Sequence, residues 1–186
     1  MKIHKDCKIE LAASKDASRP AIAEPFLDIK DGAGVVVATN GRAMAIVPVE
    51  VTEKDASGYL SADCLKAARK LTKQDVILEA NGVVTMANGA TMPREGLARN
   101  EKFPNWRQVM PSTDGYNFTV ALDAKLLWEL AQAMGTQGVL LSLQTTDASK
   151  PIMVSPHTCG RFDNQIKYAC EGAKGVLMPV QQKKNV

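Results

Sequence analysis

Along the first fifty residues the apolar positions come in short runs broken by turn residues, the pattern of strands rather than helices. Ala21 to Ile29 is largely apolar, is interrupted by Pro25, and ends in the turn Lys30-Asp31-Gly32. Ala33 to Thr39 follows with the β-branched run Val35-Val36-Val37. Asn40-Gly41 separates it from a second apolar stretch, Arg42 to Val51; Asn-Gly between two such runs is the strongest short-range hairpin signal. Residues 1–20 leave two readings open, since Ile9 to Ala13 suits a strand or one helical turn.

The period changes after Tyr59. Read at helical spacing from Ser61 to Lys73, the residues Lys66, Arg69, Lys70 and Lys73 fall at i, i+3, i+4 and i+7, while Cys64, Leu65, Ala68 and Leu71 turn the other way. The spacing predicts a helix with an apolar stripe backed by four cations. It is followed by strand-like Val76 to Leu78, a turn at Asn81-Gly82, strand-like Val83 to Ala87 and a turn at Asn88-Gly89. The same order then recurs. Phe118 to Leu122 alternates as a strand, Asp123 is placed to cap a helix, and Ala124 to Met134 is that helix, stopped by Gly135. Val139 to Leu143, a turn near Asp147-Ala148-Ser149, and Ile152 to Val154 complete it. Leu60/Leu122, Ser61/Asp123, Leu65/Leu127 and Ala68/Leu130 match at one constant offset, which marks an internal duplication.

The duplication is its own control. Lys66, Arg69 and Lys70 correspond to Trp128, Ala131 and Gln132. The second helix has an apolar face of Leu126, Leu127, Leu130, Ala131 and Met134 but only Lys125 and Glu129 as charges. Folding of the unit therefore does not demand cations on the outer face, and those of the first helix are free for a polyanion. A solvated surface helix would carry the same pattern.

Composition narrows this only slightly. The 186 residues are 45% hydrophobic and 23% charged, with a net charge of +3 and a pI near 8.6. That permits contact with nucleic acid without arguing for it. Cys7, Cys64, Cys159 and Cys170 form no CxxC pair, and His4 and His157 are the only histidines. His157, Cys159 and Cys170 match no common zinc spacing, so free thiols in a reducing cytoplasm are expected, with no metal and no cofactor. The N-terminus shows no apolar signal-peptide core, and no apolar run approaches the ~20 residues of a membrane span. The expectation is a cytoplasmic chain without membrane contact. Gly32-Ala33-Gly34 fails as a dinucleotide fingerprint because Val37 fills the third glycine position. There is no P-loop, no Ser-His-Asp set and no evident carboxylate pair, so catalysis is not expected.

Between the repeats lies Glu101-Lys102-Phe103-Pro104-Asn105-Trp106-Arg107-Gln108-Val109-Met110-Pro111. Proline favours extended backbone at itself and at the residue before it, so this segment reads as an extended connector pinned by an aromatic. Here a family resemblance enters. Ala38-Thr39-Asn40-Gly41-Arg42-Ala43-Met44-Ala45-Ile46 resembles the ATDGHRLAI-type hairpin of bacterial sliding clamps, the DNA polymerase III beta subunit. Phe103 to Pro111 resembles that family's FPDYRRVLP connector, and Lys174-Gly175-Val176-Leu177-Met178-Pro179-Val180 its closing YVVMPMRL strand. Ser18-Arg19-Pro20-Ala21 and Phe26-Leu27-Asp28-Ile29 fit the start of a clamp domain. These motifs stand in collinear order over most of residues 18–180.

The resemblance implies an α+β DNA-clamp fold built of repeated β-α-β-β-β units, with antiparallel sheets outside and one helix per unit lining a hole around double-stranded DNA. It implies two units over residues 1–111, the first of them short, and an additional half-domain unit over 112–186. Lys66, Arg69, Lys70 and Lys73 would face DNA, by sequence-independent phosphate attraction. A pocket for linear motifs of a DNA polymerase or other clamp-binding proteins would be formed by Thr39, Gly41, Arg42 and Met44 of the hairpin. Pro104, Gln108 and Val109 of the connector would join it, with Val176, Met178, Pro179 and Val180 of the last strand. Val109 and Val176, taken singly, also suit a core. Gln108 stands where the family commonly has arginine, and Asn40-Gly41-Arg42 departs from its aspartate-glycine-histidine, which leaves partner preference open. The chain is shorter than a three-domain clamp. An odd number of units leaves a sheet edge or face for another chain to cover, so a homo-oligomer is expected; a ring needs a heterologous contact that closes, whereas a two-fold contact stops at a dimer. A processivity factor, a peptide-binding module that does not encircle DNA, and an enzyme with an unrecognised site are the competing readings. The tail Gln181 to Val186 reads as disordered.

Overall fold

A computed structural model describes residues 1–80, 82–85, 88–96, 102–110, 119–144, 146–147, 149–157 and 173–180. The expectations that rest on Asn81, Ala87, Pro111, Phe118, Ala148, Cys159, Cys170 and the tail lie outside the described residues. The chain divides into two compact units, Met1–Met110 and Pro111–Val186.

In the first unit, strand β1 (Lys2–Ile3) leads into a 3₁₀ turn at Ile9–Ala12, which decides the open reading of that segment. A second 3₁₀ turn, Pro20–Ile22, begins on a proline, whose fixed φ suits a first helical position. The strand expected from Ala21 thus starts only after Pro25, as β2 (Phe26–Lys30). It turns through Asp31 (φ 51°) and Gly32 (φ 77°), the paired positive φ values of a type I′ hairpin, into β3 (Ala33–Thr39). β4 (Met44–Val49) returns antiparallel, with Thr39 opposite Met44.

The Asn40-Gly41 hairpin has a four-residue loop, Asn40 to Ala43, instead of a strand resuming at Arg42. The reason is local: Asn40 Oδ1 accepts from the amides of Arg42 and Ala43, both at 3.0 Å, which takes those N–H groups from the ladder. The Thr39 hydroxyl accepts from the Gly41 amide at 3.0 Å and donates to the Ala43 carbonyl at 2.7 Å.

β5 (Gly58–Tyr59) leads to helix α1 (Ala62–Leu71). Ser61 caps it by accepting from the Cys64 amide at 3.2 Å. Cys64, Leu65, Ala67 and Ala68 are buried; burying Leu65 stabilises by about 1.5–3 kcal/mol. The helix ends two residues short of Lys73. Thr72 is extended (φ −127°, ψ 149°), and its hydroxyl accepts from the Gln74 amide at 3.0 Å, a local bond that competes with a further turn. Leu71, expected on the apolar face, is exposed at this frayed end. β6 (Val76–Ile77), β7 (Val83–Thr85) and β8 (Thr91–Pro93) follow. Bridges between Lys2 and Glu50 and between Leu60 and Glu95 join the ladders into one antiparallel row, β6-β1-β4-β3-β2-β5-β8-β7. β5-α1-β6-β7-β8 is a complete β-α-β-β-β unit. β1, the Ile9–Ala12 turn, β2, β3 and β4 repeat that order with the helix reduced to one turn, which packs against β3, β4 and α1.

The second unit holds α2 (Ala124–Ala133), β9 (Val139–Ser142), β10 (Ile152–Pro156) and β11 (Gly175–Leu177), in sheet order β11-β10-β9. Asp123 caps α2 by accepting from the Lys125 and Leu126 amides at 2.8 and 3.2 Å. Its end is a Schellman motif: Gly135 (φ 66°) donates to the Gln132 carbonyl, and Thr136 to that of Ala131, each at 3.0 Å. Leu130, Met134, Leu141, Val154 and Leu177 form the core between helix and sheet. Leu126, expected on the apolar face of α2, is exposed instead. Thr119 to Leu122 carry no strand, although the Ala121 carbonyl accepts from the Val180 amide at 2.9 Å.

Candidate nucleic-acid and peptide surfaces

Each cation of α1 meets a different environment. Lys66 is exposed and bridges Asp63 one turn earlier at 3.2 Å, a surface pair that holds little energy. Lys70 is exposed. Lys73 lies beyond the helix, exposed, and its carbonyl accepts from Lys5 Nζ at 3.1 Å. Arg69 departs from the expected stripe. Its guanidinium donates to the Cys7 carbonyl at 3.0 Å and pairs with Glu10, and the two side chains are 11% and 3% exposed. The angular position explains this: Arg69 sits at the border of the buried arc, where the Ile9–Ala12 turn docks. Lys5 is the cation that helical spacing missed, because only the β1–β6 pairing brings it beside Lys73. On α2 the outer face carries exposed Trp128, and Lys125 and Glu129 bridge at 3.6 Å.

The connector is pinned by more than one aromatic. Phe103 stacks on Phe26 (centroids 5.1 Å apart, planes at 14°), and Tyr59 meets both rings edge-on. Trp106 Nε1 donates to Asp28 Oδ2 at 2.7 Å. Arg107 pairs with the same carboxylate and lies 4.4 Å over the Trp106 ring, a cation–π contact. These contacts curl Trp106–Val109 into a 3₁₀ turn, so the connector is not extended throughout.

Between this turn and the β3–β4 loop lies a cleft of about 600 Å³. Of the residues assigned to a peptide pocket, Thr39, Gly41, Arg42, Met44, Pro104 and Val109 line it. Gln108 does not; it is exposed on the turn. Val176, Met178, Pro179 and Val180 belong to the second unit, where Val176, Met178 and Val180 are exposed. Val109 and Val176, for which a core position was open, are 70% and 66% exposed. Arg19, Ala21, Ile22, Phe103 and Trp106 also line the cleft and were not assigned to it from sequence. Arg19 donates from Nη1 to the Asn40 carbonyl at 3.2 Å, a link across the hairpin loop that no local pattern signals.

A buried polar knot holds the first unit together. Asp55, whose side chain is buried, accepts from Arg94 at 2.5 Å, the Met1 ammonium at 3.2 Å and the Thr52 amide at 2.8 Å. Burial alone would raise its carboxyl; the Thr52 amide, the Met1 ammonium, Arg94 and the Thr52 hydroxyl outweigh it, so its pKa lies well below the ordinary 3.8. Burial raises the Cys64 thiol above its ordinary 9.0. Among the described residues no group of three or more His, Cys, Asp or Glu is arranged to hold a metal ion, and no helix is long and apolar enough to cross a membrane.

No protein-family model matches the chain, and no curated protein matches it. Solved structures do. The DNA polymerase III beta subunit of Streptococcus pyogenes aligns with a TM-score of 0.63 at 14% identity, over 98% of this chain and 50% of that one. That of Borrelia burgdorferi, in complex with a natural product, aligns with a TM-score of 0.59 at 14% identity, over 95% of this chain and 46% of that one. The chain has the α+β clamp fold. The likeness is one of architecture at great sequence distance, and the chain spans about half the length of these two beta subunits.

Proposed function

We propose that this clamp-like chain is a non-catalytic, DNA-binding processivity factor. Lys66, Lys70 and Lys73 of the α1 region, joined by Lys5, lie along the phosphates of double-stranded DNA, and the hairpin–connector cleft docks linear motifs of a DNA polymerase or other clamp-binding proteins. The observation that carries this reading is a clamp fold in which the helix of the β5-α1-β6-β7-β8 unit has exposed lysines, where the matching helix α2 has Trp128 and Gln132. Arg69, part of the sequence-derived stripe, is assigned to structure: its charge is spent on Glu10. Homo-oligomerisation in the cytoplasm completes the proposal, with a second copy covering what a lone half-domain leaves bare.

The second reading is a clamp-derived peptide-binding module that does not encircle DNA. It is favoured by the first unit itself, where six of the assigned peptide-pocket residues line one cleft while Arg69 of the cationic stripe is paired with Glu10. Molar mass by light scattering and retention on nicked circular DNA separate the two. A ring-sized oligomer retained on circles and lost on linearisation supports the first; a monomer or dimer without topological retention supports the second. Lys66→Ala with Lys70→Ala lowers DNA affinity and reduces the slope of log K against log salt by about 1.8, two lost phosphate contacts at about 0.9 each. An unchanged slope removes α1 from the DNA surface.

A further inference from the structure

The cleft on the first unit has an apolar floor and a one-signed rim, and together they specify its occupant. Met44, Phe103, Pro104 and Trp106 supply apolar surface, and Arg19 and Arg42 are the charged residues among its lining; no carboxylate lines it among the described residues. Arg107 is paired with Asp28. The Asp16 carboxylate accepts from the Ser18 amide at 2.9 Å and hydroxyl at 2.7 Å; it also feels the charge of Arg19, without closing an ion pair with it. Arg19 and Arg42 have no ion-pair partner within 4.0 Å among the described residues. Arg19 is also held in place: Nη1 donates to the Asn40 carbonyl, and a Cβ added to Gly41 would lie 2.5 Å from that nitrogen. A guanidinium propped on a carbonyl keeps its charge and its remaining donors, in a fork that matches a carboxylate.

We infer that the cleft selects linear protein segments in which apolar side chains are flanked by carboxylates, with Arg19 and Arg42 as the specificity-determining residues. The inference rests on the peptide-docking reading above and adds to it the chemistry of the partner. Apolar contacts hold the segment in the groove; the arginines choose among segments by charge, because an acidic neighbour gains charge-assisted hydrogen bonds and a basic one meets repulsion.

The test uses the full chain and three fluorescein-labelled peptides that share one leucine- and phenylalanine-containing core. The core is flanked by two aspartates, two asparagines or two lysines. Anisotropy titrations are expected to rank them aspartate, asparagine, lysine, with about tenfold in Kd per step, the effect of one charge-assisted contact. Arg42→Glu reverses the order of the charged peptides while the asparagine peptide still binds, which also shows that the cleft is intact. Lys66→Ala with Lys70→Ala leaves the ranking unchanged and excludes general attraction to a basic protein. Equal binding of all three peptides, or a ranking that survives Arg42→Glu, overturns the charge selection and leaves docking standing. Binding of none overturns both.

Discussion

Replacing Arg69 by alanine tests whether this cation supports the fold or the DNA surface. Glu10 is 3% exposed at its side chain, and among the described residues only one of its oxygens is engaged, since Oε2 has no hydrogen-bond partner there. Removing the guanidinium leaves a buried carboxylate without compensation and deprives the Cys7 carbonyl of its donor at 3.0 Å. Breaking a buried ion pair from one side costs about 3–5 kcal/mol. For a body the size of Met1–Met110, at about 4–8 °C per kcal/mol, the melting temperature of the first unit falls by more than about 10 °C. Each unit carries one tryptophan, Trp106 and Trp128, so urea titrations followed in a Trp128→Phe background report the first unit alone. Lys70→Ala, an exposed change, stays within about 0.5 kcal/mol. Glu10→Leu combined with Arg69→Met recovers most of the loss, because a half-satisfied buried pair contributes little over apolar packing. A cost below about 1 kcal/mol for Arg69→Ala, together with a loss of DNA affinity equal to that of Lys70→Ala, would refute the assignment.

Two further outcomes follow from the packing. Because the Asp55 pKa is depressed in the folded chain, the native state binds fewer protons than the unfolded one. Its contribution is present above the ordinary value of 3.8 and is lost as pH falls through the lower folded value. Melting temperature therefore falls steeply below about pH 4, the range of unperturbed aspartate, and Asp55→Asn, less stable at pH 7, shows a flatter acid limb; parallel limbs would contradict the linkage. Gly175 faces α2 so closely that an added Cβ would lie 2.7–2.9 Å from Leu130. Gly175→Ala costs about 1–3 kcal/mol by overpacking, and circular dichroism melts showing no loss would mean that helix and sheet separate freely.

The repeat was legible because its signals are local. Ser61 and Asp123 each bond amides two or three residues ahead, so the two helices begin at matching positions of the duplication. Gly135 stops α2 through its own neighbours, and the turns at Asp31-Gly32 and Asn40-Gly41 rest on short-range backbone and side-chain preferences. Six of the thirteen residues lining the candidate cleft, Thr39, Gly41, Arg42, Met44, Pro104 and Val109, came from motif resemblance and lie together. What escaped was long-range. Helical spacing counts Arg69 with the lysines, yet a turn 59 residues earlier in sequence takes it out of solvent. Lys5 joins Lys73 only through strand pairing, and Arg19 reaches the hairpin loop across 21 residues. By itself, then, the sequence determined the two helices, their caps, the two hairpin turns and the repeated order, since each depends on bonds closed within a turn or two. The tertiary structure alone decided which cations stay free and which are spent, because a charge's partner is set by whichever element packs against it.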